Sequence, residues 1–420
     1  MQVSPINAFS LPLDLRDGMG SNHSMTPANI RSTAQSFLPS SLVSLLLAYA
    51  ILITGNGLLS TLVSLRLIQG ESSSIVAGVV QSAYYVGLTA GALFGGVLIG
   101  RVGHRRAFVV FGAVVAICAL GYTVSSSPWA WVGVRFVTGL CLVGVFNVVE
   151  SQLHEVSTNA RRARVFSAYL VVNYLGVAMG QFLIGVADTA GFALFGIASA
   201  VFSASLIPIT VAGGPWVAPE KAAPAGSRAI LGPGLAGLRT VYRQAPFGLL
   251  GCLGAGLLTS SFFTLQPVFM RRVGYPVAEV AHFMGFALIS ALVLQWPVAR
   301  LADRLDRRKI VLGVALLAGS CSLSLFFFTH DIVIRTLGYV YVSLIFTMYG
   351  LATSYVNDSI PSSQRVAVSA SLLLIFSLGA SAGPTLASVA MAFAGPAGLY
   401  LFTAAVNGGL ALLAFRSLAR

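Results

Sequence analysis

Apolar stretches of about twenty residues recur along nearly the whole chain, twelve of them between roughly residues 38 and 415. The hydrocarbon core of a bilayer is about 30 Å thick, and an α-helix needs roughly 20 apolar residues to cross it. No water reaches backbone groups there, so each crossing segment must satisfy its own hydrogen bonds, as a helix does. Composition agrees: 56% of the 420 residues are hydrophobic and 9% are charged, against about 25% charged in soluble domains. The chain reads as an all-α polytopic membrane protein. Its expected spans are 38–65, 74–99, 107–125, 129–150, 165–187, 191–212, 247–269, 278–300, 310–329, 333–356, 366–390 and 397–415.

Three stretches fall outside this pattern. Residues 1–37 are polar and lack the basic start, apolar core and cleavage site of a signal peptide, so they are expected to form a cytoplasmic tail, with Met19 and Met25 as alternative starts. Residues 213–246 hold Pro215, Pro219, Pro224 and Pro233 with Lys221, Arg228, Arg239 and Arg243. They read as a cytoplasmic linker, in part amphipathic, between bundles at 38–212 and 247–415. Residues 416–420 form a short C-terminal tail.

Two basic knots share one register. The first is Leu98-Ile-Gly-Arg-Val-Gly-His-Arg-Arg106; the second lies within the run from Gln295 to Lys309. At an offset of 203 positions Leu98 falls on Leu301, Arg101 on Arg304, Arg105 on Arg308 and Arg106 on Lys309. The same offset carries Gly176 onto Gly379 and Gly180 onto Gly383. Landmarks this far apart keep one register when a chain is built from two similar halves.

The net charge of +13 suggests a nucleic-acid partner until its placement is read. Twenty of the 25 Lys and Arg lie in the tails and in the connections after the even-numbered spans; Arg66, Arg271, Arg272 and Arg335 lie on the other side, and Arg135 lies within a span. This is the bias that membrane topology imposes, and it predicts both termini on the cytoplasmic side with no role in nucleic-acid binding. Cys118, Cys141, Cys252 and Cys321 stand singly in apolar runs, without metal-ligand or disulfide spacing.

The two knots resemble the loop signature of the major facilitator superfamily, which lies between spans 2 and 3 and recurs between spans 8 and 9. The resemblance covers the chain from the first span to the last. The runs Glu150–Glu155, Thr158–Phe166 and Gln295–Pro297 are similar to a bacterial subgroup of that superfamily whose members are mostly uncharacterised. The resemblance implies two six-helix bundles rocking around a midplane site, in the inner membrane and as a monomer. It also implies that the knots, through Arg101, Arg105, Arg106, Asp303, Arg304, Asp306, Arg307 and Arg308, hold the halves together in one state and release them in the other. The second knot keeps its acid at Asp303, whereas the first has Gly100 there.

Within the spans, polar residues are the candidates. Arg135 heads Arg135-Phe-Val-Thr-Gly139, which resembles a fourth-span signature linked to proton coupling, with Thr138 in place of the usual Gln. A guanidinium at this depth needs a partner, which is expected from water, the tyrosines of span 2 or an anionic substrate. Glu150 lies fifteen residues on, about 22 Å along the same helix. It is expected as a gating salt-bridge partner of the Arg161, Arg162 and Arg164 cluster or of the first knot, with a substrate ligand as the competing role. Asn147, one turn deeper, shares its face. Asn56, Gln81, Tyr84, Tyr85, Asn173, Gln181, Phe262, Phe263, Gln266 and His282 are further candidates for the substrate pocket, with helix packing as the competing role.

No phosphate loop, paired histidine spacing or hydrolytic triad stands in the sequence, so the expectation is a secondary transporter rather than an enzyme, with no cofactor and no resident metal. Its solute is expected to be a small organic molecule, neutral or anionic, carried by alternating access and driven by protons. Copper uptake is the alternative that the resembled subgroup suggests. His282 and Met284, two apart, do not share a helix face, and no Met-x-x-x-Met occurs. A non-transporting membrane scaffold is the third reading.

Overall fold

The computed structural model describes residues 40–157, 159–211, 237–328, 330–361 and 364–419. The tail at 1–37, with Met19 and Met25, and most of the linker lie outside these. Twelve helices among the described residues are long and apolar enough to cross a membrane. They are α1 (Ser40–Gln69), α2 (Ser74–Val102), α3 (His104–Val124), α4 (Pro128–Val156), α5 (Asn159–Phe182) and α6 (Ala193–Ala204, resumed as Leu206–Val211). The second half follows with α7 (Pro246–Arg272), α8 (Val277–Arg304), α9 (Arg307–Phe327), α10 (Asp331–Ser359), α11 (Arg365–Ala394) and α12 (Gly398–Leu418). Most helices run past the apolar stretch that announces them, because a helix continues into the headgroup layer once its core has crossed. α6 breaks at Ser205, where the Pro208 nitrogen lacks the N–H that would bond back four residues.

The packing repeats as the sequence register does. α1 packs on α5 and α6, α2 on α4, and α3 on α4 and α6; the second half repeats this with α7 on α11 and α12, α8 on α10, and α9 on α10 and α12. Gly176 and Gly180 of α5 press on the Ala50 and Thr54 carbonyls of α1, while Gly379 and Gly383 of α11 press on those of Leu253 and Leu257 in α7. Both contacts of the first half map onto their counterparts in the second at the same offset of 203. Small residues carry such contacts because lipid already solvates apolar side chains, so association depends on close packing of backbones. Large apolar residues such as Ile117, Leu316, Phe393 and Phe415 stay exposed and form the outer surface.

The knots turn the chain differently in the two halves. Gly103 (φ +81) alone separates α2 from α3, a backbone that L-residues avoid. Asp306 stands at the equivalent place in the second half and caps α9, accepting from the Arg308 N–H at 2.9 Å. The halves meet along α2 with α11, α5 with α8, and α1 with α7. A short helix at 237–244 packs Val241 and Ala245 under the second half.

Valine at Gly180 would place Cβ 2.2 Å from the Thr54 carbonyl and 2.6 Å from the Leu58 nitrogen. Gly180→Val is expected to destabilise the bundle by about 1–3 kcal/mol, read as a lower thermal midpoint of the purified protein. Gly133→Ala, where nothing lies within 4 Å, should leave the midpoint unchanged or raise it.

Candidate functional site

α2 and α4 touch backbone to backbone. Gly87 lies against the Phe136 carbonyl and Gly139 against the Tyr84 carbonyl, each leaving no room for a Cβ. This contact sets Arg135 of α4 beside Gln81 and Tyr84 of α2. Arg135 is only 1% exposed. Its Nε and Nη2 donate to Gln81 Oε1 at 2.9 and 2.5 Å, and its guanidinium carbon lies 4.8 Å from the centre of the Tyr84 ring. A charged donor makes hydrogen bonds roughly twice as strong as neutral ones, and a desolvated cation over an aromatic face adds about 2 kcal/mol. No acid pairs with Arg135 among the described residues.

The line continues across the molecule. Gln81 Nε2 donates to the Ser60 carbonyl at 3.0 Å and to Ser64 Oγ at 2.6 Å. Ser64 Oγ donates to the Thr264 carbonyl of α7 at 3.0 Å, which lies in the other half. Arg135 is therefore tied through α2 and α1 to the seam. The tyrosine partner expected for Arg135 is present. The guanidinium is sealed among these groups. Its Nη1 is buried without an acceptor.

The seam is tight toward the end opposite the knots. There Gly78 of α2 meets the Pro384 carbonyl and Ser388 of α11, and Ser82 bonds Thr385 at 2.8 Å. Phe182 of α5 packs on Gly285 and lies 5.4 Å from Phe286 of α8. Nearer the middle Gln295 donates to the Tyr174 hydroxyl at 2.5 Å, and Tyr174 and Phe346 face each other at 5.9 Å. Toward the knots Asn147, Glu150, Asn173, Phe346 and Tyr349 keep partial exposure although they lie inside the bundle. Glu150 accepts from the Tyr169 hydroxyl at 3.2 Å. No ion pair to Glu150 forms among the described residues, so the expected gating salt bridge is absent from them; the side chains of Arg161 and Arg162 lie outside that set.

The other candidates divide by helix face. Asn56 donates to the Tyr84 hydroxyl at 3.4 Å and joins the Arg135 group. Tyr85 is half-buried against Tyr84. Gln181 donates to the Gly57 carbonyl at 3.0 Å and ties α5 to α1. Asn173 accepts from the Tyr49 hydroxyl at 2.6 Å. Phe262 is sealed against Tyr341, whereas Phe263 is half-buried and pairs with Phe346. Gln266 accepts from Tyr400 at 2.8 Å inside the second bundle. His282, expected to be buried, is exposed. The buried face of α8 runs through Val280, Phe283, Met284 and Ala287, and His282 falls off it with its ring 6.1 Å from Phe182. His282 and Met284 thus point apart.

The knots pair within their own half. Arg307 bonds Asp358 of α10 at 2.7 Å and lies 3.9 Å from Asp303, while Arg308 pairs with Asp306 at 3.0 Å and donates to the Ser417 carbonyl. The Arg308 side chain and N–H hold the Asp306 carboxyl below the usual range. A depressed carboxyl contributes stability that is present above its ordinary range and lost as pH falls through its own value. In the first knot Arg105 donates to the Thr210 carbonyl, Arg101 and Arg106 are exposed, and no carboxylate joins them among the described residues. Arg304 is exposed. Sequence reading missed Ser64, Thr264, Tyr49, Tyr169 and Asp358 as partners. Only spacing along each helix could have signalled them, and that does not show which helix lies opposite.

Gln81→Leu removes both acceptor bonds to a buried charge. It should destabilise the protein by about 1.5–3 kcal/mol, measured as a fall in thermal midpoint. Tyr84→Phe keeps the ring under the guanidinium and loses only the long bond to Asn56, so its effect should stay below about 1 kcal/mol. An equal loss in both variants would contradict the hub role of Gln81.

The family model of the Major Facilitator Superfamily matches residues 45–384. An uncharacterized MFS-type transporter of Yersinia pestis is 27% identical over 341 residues, covering 79% of this chain and 84% of the relative. The uncharacterized MFS-type transporter YcaD of Escherichia coli O45:K1 is 28% identical over 353 residues, covering 83% and 88%. Among solved structures, a point mutant of the nucleoside transporter NupG superposes with a TM-score of 0.78 at 12% identity, over 90% of this chain and 99% of that one. At that identity the likeness speaks to the fold alone. The protein is a multi-pass bacterial inner-membrane protein whose role is transport of a small solute, not catalysis. With twelve spans in two repeated bundles and the family model spanning most of its length, the chain belongs to the major facilitator superfamily.

Proposed function

We propose that this protein is a secondary active transporter of a small organic solute, working by alternating access and coupled to protons. The observation that carries the reading is the buried line from Arg135 through Gln81 and Ser64 to Thr264, beside a seam that is tight at the end away from the knots. Two rigid bundles with such a seam can exchange which end is closed. A polar line that spans both halves changes partners when they rock, so the environment of Arg135 follows the state of the gate.

The distribution of basic residues supports cytoplasmic knots and termini, which makes the tight end of the seam the outward one and implies that a solute chamber opens inward. The pairs of Arg307 and Arg308 within the second half are then the released form of the knot, and contact with the first half would form when the chamber closes inward. Glu150 is a carboxylate held inside the bundle that can take up and release a proton between states. The protein is proposed to act as a monomer in the lipid bilayer.

The test is purified protein in liposomes loaded with a pH-sensitive dye. Adding a panel of neutral and charged organic solutes should drive proton movement with at least one member. Arg135→Gln should abolish the coupled flux, while Arg135→Lys, which keeps the charge and loses the planar fork, should retain part of it. Solute flux with no proton movement would make the protein a facilitator. If no solute moves, the transporter reading fails.

A further inference from the structure

We propose that the end of α8 beside the second knot binds the headgroup of an anionic phospholipid, with Arg300 and Arg304 on its phosphate. The helix faces lipid along the stripe that carries these residues. α8 meets α5 through Gly285 and Gln295, and α10 through Phe283 and Ser290. Phe286, Val293, Trp296, Arg300 and Arg304 follow one another at steps of seven, three, four and four residues, so they lie on one side of the helix, turned away from those contacts. All five are exposed. Large apolar residues such as Phe286 and Val293 keep their exposure on a crossing helix where acyl chains cover them. The stripe then turns aromatic at Trp296 and cationic at Arg300 and Arg304, where α8 ends. This is the order of chain, boundary and headgroup in a bilayer leaflet, with indoles settling at the boundary and long cationic side chains reaching the headgroups.

The charges left over at the knot select an anion. Its carboxylates are engaged by other arginines: Asp306 by Arg308 at 3.0 Å, Asp358 by Arg307 at 2.7 Å, and Asp303 lies 3.9 Å from Arg307. Among the described residues no carboxylate pairs with Arg300 or Arg304. Arg300 lies over the Trp296 ring, its guanidinium carbon 4.3 Å from the ring centre. Stacking orients the guanidinium plane and leaves its N–H edge open. Two guanidiniums one turn apart present planar forks that match phosphate oxygens. A zwitterionic lipid would bring its own cation against both arginines. A soluble phosphate would leave the apolar part of the stripe without a partner.

Dioleoyl phosphatidylglycerol, dioleoyl phosphatidylcholine and inorganic phosphate are the probes. Lipid bound to the purified full chain in detergent is measured by native mass spectrometry across a titration. Phosphatidylglycerol is expected to bind at least 10-fold more tightly than phosphatidylcholine, and inorganic phosphate at equal concentration should not displace it. Each cation beside an anionic lipid is worth about fivefold in affinity, so Arg300→Gln combined with Arg304→Gln should weaken phosphatidylglycerol at least 10-fold. Arg239→Gln combined with Arg243→Gln makes the same change of charge at an exposed pair one turn apart on the short helix at 237–244, and should leave the affinity within twofold. A further measurement needs no variant to fold: phosphatidylglycerol with a photoactivatable headgroup, crosslinked to the parent protein in liposomes and mapped by peptide mass spectrometry, should label α8 between Val293 and Arg304. Equal binding of phosphatidylcholine, displacement by inorganic phosphate, an unchanged affinity in the Arg300 and Arg304 variant, an equal loss in the Arg239 and Arg243 variant, or no label between Val293 and Arg304 would each overturn the assignment.

Discussion

Lipid removes the usual drive for helices to assemble, since a leucine gains nothing by leaving an acyl chain for another leucine. The bundle depends instead on contacts that lipid cannot make, backbone pressed on backbone. Gly176 and Gly180 seat α5 on α1, Gly379 and Gly383 seat α11 on α7, and Gly87 and Gly139 seat α2 on α4. The last of these contacts has the largest functional consequence. It brings Gln81 and Tyr84 close enough to hold a guanidinium that has no acid beside it. Without that close approach Arg135 would need water or an ion to remain buried.

The polar groups inside the bundle then fall into two levels along α4. Near the closed end, Arg135 is fixed by side chains from α2, and its line of hydrogen bonds crosses to the second half at Thr264. Toward the knots, Glu150 and Asn147 stand with acceptors to spare. One helix thus carries a sealed cation tied to the seam and, fifteen residues on, a half-buried carboxylate. In the proposed cycle the first senses which end is closed, and the second takes up and releases a proton.

Much of the fold was legible in the sequence, because length and apolarity specify a crossing helix and a repeated register specifies two halves. The glycine pairs at 176/180 and 379/383 were visible for the same reason. Helix rotation was not legible. In a soluble protein polarity marks the outward face, but here both the lipid face and the packed face are apolar. His282 was therefore read as buried although it lies off the buried face of α8. The partner of Arg135 could be narrowed to span 2 through its tyrosines, yet the acceptor is Gln81, one turn away from Tyr84. The bond of Asp358 to Arg307 depends on α10 ending beside the second knot, which spacing along either helix does not show. Glu150 carries a salt-bridge expectation from the nearby basic run, since sequence distance does not show that Tyr169 of α5 lies beside it.

The central claim is that the two halves rock about the α2–α11 and α5–α8 seam, so that opening one end closes the other. Gly78 offers a direct handle, since a Cβ there would lie 2.2 Å from Ser388 Oγ and 2.6 Å from the Pro384 carbonyl. Spin labels on Ile75 and Phe393 report the end that is now closed, and labels on Arg101 and Arg365 report the knot end; all four positions are exposed. Distances from pulsed double electron–electron resonance in the parent and in Gly78→Val are the measurement. The account predicts that Gly78→Val lengthens the 75–393 distance and shortens the 101–365 distance. Both distances unchanged, or both longer, would contradict it.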